Sequence, residues 1–146
     1  MTEPIHPTPP ATRSPGEIAR REVMGDAFVD RAQAAADAFS APLQALVQEH
    51  AWGATWQRDD LTRRQRSLCT VSMLAALGHV QELKGHLQGA LNNGATLTEI
   101  RGVLLHVGPY AGMPAAVAAF RAAREWMSEQ GLRFVDEAPA EGPAAP

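Results

Sequence analysis

From Pro15 to Gly131 apolar side chains recur every three or four residues, and alternating β-branched or aromatic runs are missing, so the pattern predicts helices and no sheet. Local punctuation divides the run. A first helix spans Pro15 to Met24 and stops at Gly25, a residue type that takes the left-handed cap without strain. A second covers about 27–39. Ser40 and Pro42 read as N-cap and first turn of a helix carrying Leu43, Leu46 and Val47 towards Trp52. Thr62 with Gln65 forms a capping box before a helix through about Leu77. The helix after His79 closes at Gly94. Thr96 with Glu99 makes a second box, opening a helix that Gly108-Pro109 should end or kink. Pro114 then opens an alanine-rich helix to about Gln130, ended by Gly131. The expected fold class is all-α, a compact bundle of about six to seven helices whose core comes from two hairpins, 62–94 and 96–130. Proline-rich residues 1–14 and the Pro/Ala/acid-rich 136–146 read as disordered tails around one helical domain, 15–135.

Composition narrows the chemistry more than the fold. A chain of 146 residues can bury a real core without disulfides or metal. Its net charge of −3 gives no reason to expect nucleic acid or an acidic membrane as partner. Twelve of its 13 basic residues are arginine, whose planar fork suits carboxylates, which keeps a small anionic ligand open. The single cysteine, Cys69, excludes an internal disulfide and a CxxC redox pair, and suits a reducing cytoplasm. MTEPIHPTPPATRSPGE lacks the basic and apolar regions of a signal peptide, and no apolar run is long enough to span a bilayer. A cytoplasmic protein is expected.

The stretch HVQELKGHLQGALNNG, His79 to Gly94, carries the most chemical information. At about 100° per residue, His79, Glu82, His86 and Asn93 fall within an arc of roughly 60°. Val80, Leu83, Leu87, Ala90 and Leu91 occupy a neighbouring apolar arc, and Gln81, Lys84, Gln88 and Asn92 a third that reads as the solvent face. An acid and two imidazoles on a separate face suit general acid/base work. Glu82 and His86, four residues apart, can meet, and a carboxylate beside an imidazole raises its pKa and fixes its tautomer. A surface Glu/His pair with a small helix-stabilising role has the same spacing. A metal reading of His79, Glu82 and His86 lacks both histidines four apart and a repeated Glu-x-x-His pair.

Other candidates are weaker singly. Arg63 and Arg66 begin a helix where their charge opposes the local dipole, which calls for an acidic partner or ligand, with Asp59 or Asp60 as ordinary partners. Trp52 and Trp56, one turn apart, suit core anchors or a ligand platform. His106 and Tyr110 flank the Gly108-Pro109 break.

Taken together, RREVMGDAFVDRA from Arg20, WGATWQRDDLTRRQRSL, ELKGHLQGALNNGAT and YAGMPAAVAAFRAARE resemble the carboxymuconolactone decarboxylase family, and within it the 4-carboxymuconolactone decarboxylases of protocatechuate breakdown. The hydroperoxide-reducing branch uses CxxC followed four residues later by His; His79 and Glu82 stand at the cysteine positions and His86 at the histidine, which excludes that disulfide chemistry. The resemblance implies an AhpD-like helical subunit in a homo-oligomer, trimer or hexamer, with sites near subunit contacts and no cofactor or metal. It implies decarboxylation of 4-carboxymuconolactone to 3-oxoadipate enol-lactone, with His86 as proton donor and Glu82 orienting it or holding its charge. Arg63 or Arg66 would anchor a carboxylate, and Trp52, Trp56, His106 and Tyr110 would screen the cleft. Alternatives are a paralogue acting on another carboxylated lactone and a non-catalytic oligomer that binds a small anion. Three positions depart from the family pattern: Gly85 replaces an aliphatic residue, RDDL (58–61) an RPGL-like turn, and Gly108-Pro109 small apolar residues before the tyrosine.

Overall fold

The computed structural model describes residues 13–135, and among these it contains helices only. In chain order they are α1 (Pro15–Met24), α2 (Asp26–Ala34), α3 (Ala41–Leu46), a π-helical segment (Val47–Thr55), α4 (Arg63–Leu77), α5 (Val80–Asn92), α6 (Leu97–Ala111) and α7 (Met113–Glu129). The expected all-α class therefore holds, and none of these helices is long and apolar enough to cross a membrane. The tail readings fall on residues outside the described range, apart from Arg13 and Ser14. Ser14 is the N-cap of α1, its hydroxyl accepting from the Glu17 N–H.

Two apolar clusters organise the molecule. The larger joins Val71 and Ala75 of α4, Leu83, Leu87 and Ala90 of α5, Ile100, Leu104 and Val107 of α6, and Ala119, Ala122, Ala123 and Trp126 of α7. Both hairpins supply it, as their 3.6-residue periodicity requires. Both capping boxes form: the Thr62 and Thr96 hydroxyls accept from the backbone of Gln65 and Glu99, whose side chains bond back. Gly78, at φ +76°, closes α4 in the left-handed region. The smaller cluster consists of Val23, Met24, Val29, Trp52 and Trp56, backed by Phe28, Val47 and Ala51. It forms a layer of α1, α2 and the π-helix against one side of α5.

That layer approaches closely at glycines. A β-carbon on Gly16 would lie 2.6 Å from the Gln48 carbonyl oxygen and 2.8 Å from the Gly53 nitrogen, so only glycine lets α1 cross the π-helix here. On α5, a β-carbon at Gly85 would press on Phe28 and Met24, and one at Gly89 on Val23. Gly85, unusual for the family pattern, therefore serves helix packing. Asn92, assigned to the solvent face by periodicity, donates to the Val23 carbonyl at 2.8 Å and helps fasten α1 to α5.

Several boundaries differ from expectation, each for a local reason. The second helix ends at Ala34 because Asp37 captures the chain: its carboxylate accepts from the Phe39 and Ser40 N–H groups and the Ser40 hydroxyl. Ser40 is consequently turned back to Asp37 and does not cap α3. The expected single helix towards Trp52 becomes α3 followed by the π-helix, with Trp56 as its C-cap residue. Gly108-Pro109 does not end α6, which continues to Ala111 and stops at Gly112. Pro109 lies two residues from the helix end, where its missing N–H removes one bond, to the carbonyl of exposed Leu105.

Candidate functional site

The face singled out on α5 is divided by its neighbours. His79 stands just outside the helix as N-cap residue, exposed and without a capping side-chain bond. Glu82 is exposed in the first turn. His86 is half-buried, its ring parallel to the Trp52 indole with centroids 6.4 Å apart and an interplanar angle of 3°. Trp52 in turn stacks on Trp56 at 5.0 Å and 25°. Asn93, at the far end, donates to the buried Ser67 hydroxyl of α4 at 2.9 Å and serves the α4–α5 contact. Among the described residues no three His, Cys, Asp or Glu side chains gather as a metal-ligand set.

The electrostatics of His86 reverse the expectation from spacing. Burial against the tryptophan layer pushes its pKa below the ordinary 6.5, and Glu82, acting through space, raises it by less. The free protein therefore holds His86 neutral at neutral pH. Glu82 is a counter-charge that becomes worth more once a proton is present.

The arginines sort into engaged and unengaged donors. Arg63 pairs with Glu22 of α1, and Arg64 with Glu99 of the second capping box. Arg66 is buried, pairs with Asp60 and donates to the Arg58 carbonyl at 3.1 Å, while its Nε has no acceptor. Asp60 is the second Asp of the unusual RDDL turn; Arg58, and after it Arg66, hold its carboxyl below the usual range. Arg21 is bound by Glu17, Asp26 and Asp30. Arg20 escapes the sequence reading. It is 7% exposed, donates to Gln44 Oε1 at 3.1 Å, and has a buried Nε without an acceptor. A signal for it exists: on α1 the buried positions are Gly16, Ala19, Arg20, Val23 and Met24, an apolar register with one cation inside it. Burial disfavours its charge, and Arg21 adds repulsion.

His106 and Tyr110 are brought together, ring centroids 4.6 Å apart, but not beside His86. They line a groove of about 720 Å³ between α4 and α6 with Cys69 and Met73. A second groove, about 770 Å³, runs along α6 and α7 past Leu105, Phe120 and Phe134. Neither is lined by Trp52, Trp56, Glu82 or His86. The structure thus joins Trp52, Trp56 and His86, keeps Glu82 within electrostatic reach, and sets Arg63, His106 and Tyr110 on other business.

Comparison with known proteins gives this arrangement a setting. Residues 41–125, from α3 into α7, match the carboxymuconolactone decarboxylase family. The chain is 39% identical to a 4-carboxymuconolactone decarboxylase of Acinetobacter baylyi over 113 residues, 77% of this chain and 84% of that one. It is 42% identical to a nitrosuccinic acid decarboxylase of Metarhizium robertsii over 100 residues, 68% of this chain and 70% of the other.

Proposed function

Because the chain belongs to the carboxymuconolactone decarboxylase family, we propose that it decarboxylates 4-carboxymuconolactone to 3-oxoadipate enol-lactone and carbon dioxide, with His86 as the proton-transfer residue. The observation that carries the reading is the half-buried His86 held flat against Trp52 with Glu82 one turn away. In the substrate the ring carbon that bears the departing carboxylate also bears a carboxymethyl arm. When the bond to carbon dioxide breaks, its electron pair moves through the ring double bond onto the lactone carbonyl oxygen. One proton must then reach the ring carbon beside that carbonyl. A dianionic ligand against His86 reinforces Glu82 and raises the imidazole pKa in the complex, supplying the proton the free protein lacks. The Trp52 and Trp56 rings exclude water from the leaving carboxylate on their side.

The relatives support a second reading of the same site. Nitrosuccinic acid and 4-carboxymuconolactone are both succinates substituted at one carbon with an electron sink, a nitro group in one and an unsaturated lactone in the other. Each keeps its carboxymethyl arm through the reaction. A site built on proton delivery and recognition of that arm serves either sink.

The test is carbon dioxide release by purified protein from each compound, with and without chelator. Turnover of the lactone, unaffected by chelator, is the expected result. Turnover of nitrosuccinate alone transfers the assignment to the second reading, and inertness towards both, in folded protein, overturns the decarboxylase assignment.

A further inference from the structure

We infer that Arg20, with the side-chain amide of Gln48, is the anchor for the retained carboxylate of a substituted succinate. The inference rests on the decarboxylase reading for the identity of the ligand, and on the structure alone for the existence of an anion site. Among the described residues Arg20 is one of two deeply buried arginines; the other, Arg66, has Asp60. Among those residues Arg20 also has no carboxylate partner, because Arg21 takes Glu17, Asp26 and Asp30, and Arg63 takes Glu22. Its hydrogen bond goes to a neutral amide, Gln44 Oε1. A buried cation without a counter-ion is unfavourable in the free protein, and a bound anion removes the penalty.

A second orphan lies on the helix that α1 crosses. Gln48 Nε2 is buried without an acceptor. Gln48 lies one turn beyond Gln44, the partner of Arg20, and its carbonyl faces Gly16, one turn before Arg20 on α1. The crossing of α1 over the π-helix thus brackets both unused donors. One turn further along the π-helix comes Trp52, whose ring lies against His86. Arg20, Gln48, Trp52 and His86 therefore follow one another along a single seam, an anion-binding end leading to a proton-transfer end. A planar carboxylate accepts from the guanidinium edge and from the amide together, which a spherical anion does not match. Holding the carboxylate that stays avoids stabilising the one that leaves.

Succinate, a dianion with nothing to lose, is the probe for binding. Calorimetry should show succinate binding to the wild-type protein, at least about tenfold tighter than inorganic phosphate, as expected of a charge-assisted bidentate contact to a planar carboxylate. Arg20→Met should weaken succinate binding by about tenfold or more and Gln48→Leu by a few-fold. In turnover Arg20→Met should raise KM more than it lowers kcat. Its Tm without ligand should equal or exceed that of the wild type, because a buried unpaired charge has been replaced by an apolar chain. A lowered Tm with unchanged succinate affinity overturns the assignment and makes Arg20 structural. Should the protein bind succinate through Arg20 yet release no carbon dioxide from either compound, the anion site stands and the decarboxylase reading fails. Unchanged KM in Arg20→Met beside normal turnover does the opposite: the decarboxylase reading stands and the anion site fails.

Discussion

The α4–α7 bundle and the layer of α1, α2 and the π-helix both bury apolar side chains, yet they are built by different means. In the bundle the devices are mostly local: two capping boxes, a left-handed glycine closing α4, and a buried arginine, Arg66, that is paired with Asp60. The layer contains an arginine in its apolar register bonded only to a neutral amide, a π-helix, and a crossing at Gly16 that admits no β-carbon. His86 stands on α5 where the two meet, its backbone in the first region and its ring against the second. Departures from local rules are costly, and they persist where something other than stability selects them. The bundle reads as scaffold and the layer as the working half.

The comparison can be broken by substitutions that separate stability from activity. Leu83→Ala, at a fully buried bundle position, should lower stability by about 2–5 kcal/mol in denaturant melts while leaving kcat within a few-fold under folded conditions. Gly16→Ala should cost about 1–3 kcal/mol, because the obstacles are backbone atoms that cannot rotate away. It should also lower kcat/KM out of proportion to its stability loss, by shifting the π-helix; a pure stability effect would make the two regions equivalent. Thr62→Ala should lose about 0.5–2 kcal/mol of stability without a change in KM. Gly102→Ala, in open space on α6, should be the mildest, raising stability by up to about 1 kcal/mol.

Acidity sharpens the same contrast. His86 has a lowered pKa in the folded protein, so its contribution to stability is complete above 6.5 and is lost as pH falls from there through the folded value. Asp60 and Glu99 also have lowered values, held chiefly by Arg58 and by the Thr96 backbone respectively. Their contributions are lost only at lower pH, below the ordinary carboxylate values of 3.8 and 4.5 and through the folded ones. Chemical melts against pH should therefore show a first decline below 6.5 that His86→Gln removes and a second that it leaves. If protonated His86 gives the proton, kcat/KM should fall as pH rises past a midpoint below 6.5, and the midpoint for kcat should lie higher, because bound substrate raises it.

What could be read from sequence follows the same division. The bundle helices obey propensity and capping, so Thr62, Gln65, Thr96 and Glu99 mark their starts almost residue by residue. Periodicity fails wherever a side chain overrules it: Asp37 cuts α2 short by hydrogen-bonding the turn, and the wider turn after Leu46 is invisible to a 3.6-residue template. At the site, the relation of Glu82 to His86 is legible from their spacing, but the sign of the His86 shift is not, since it comes from burial, with Trp52, thirty-four residues away in sequence, parallel to its ring. Arg63 and Arg66 are visible as cations in search of partners. Asp60, one of the expected partners, takes Arg66, whereas Glu22, far off in sequence, reaches Arg63 only through packing. Arg20 is the reverse, a cation hidden by its apolar neighbours.

The most direct test of His86 as the proton-transfer residue at this seam is carbon dioxide release from 4-carboxymuconolactone by His86→Gln, with its Tm measured on the same preparation. General acid catalysis by this imidazole requires kcat to fall by about 10²–10⁴-fold while Tm stays the same or rises. A variant that keeps the wild-type kcat places the chemistry elsewhere in the fold and removes His86 from the reaction.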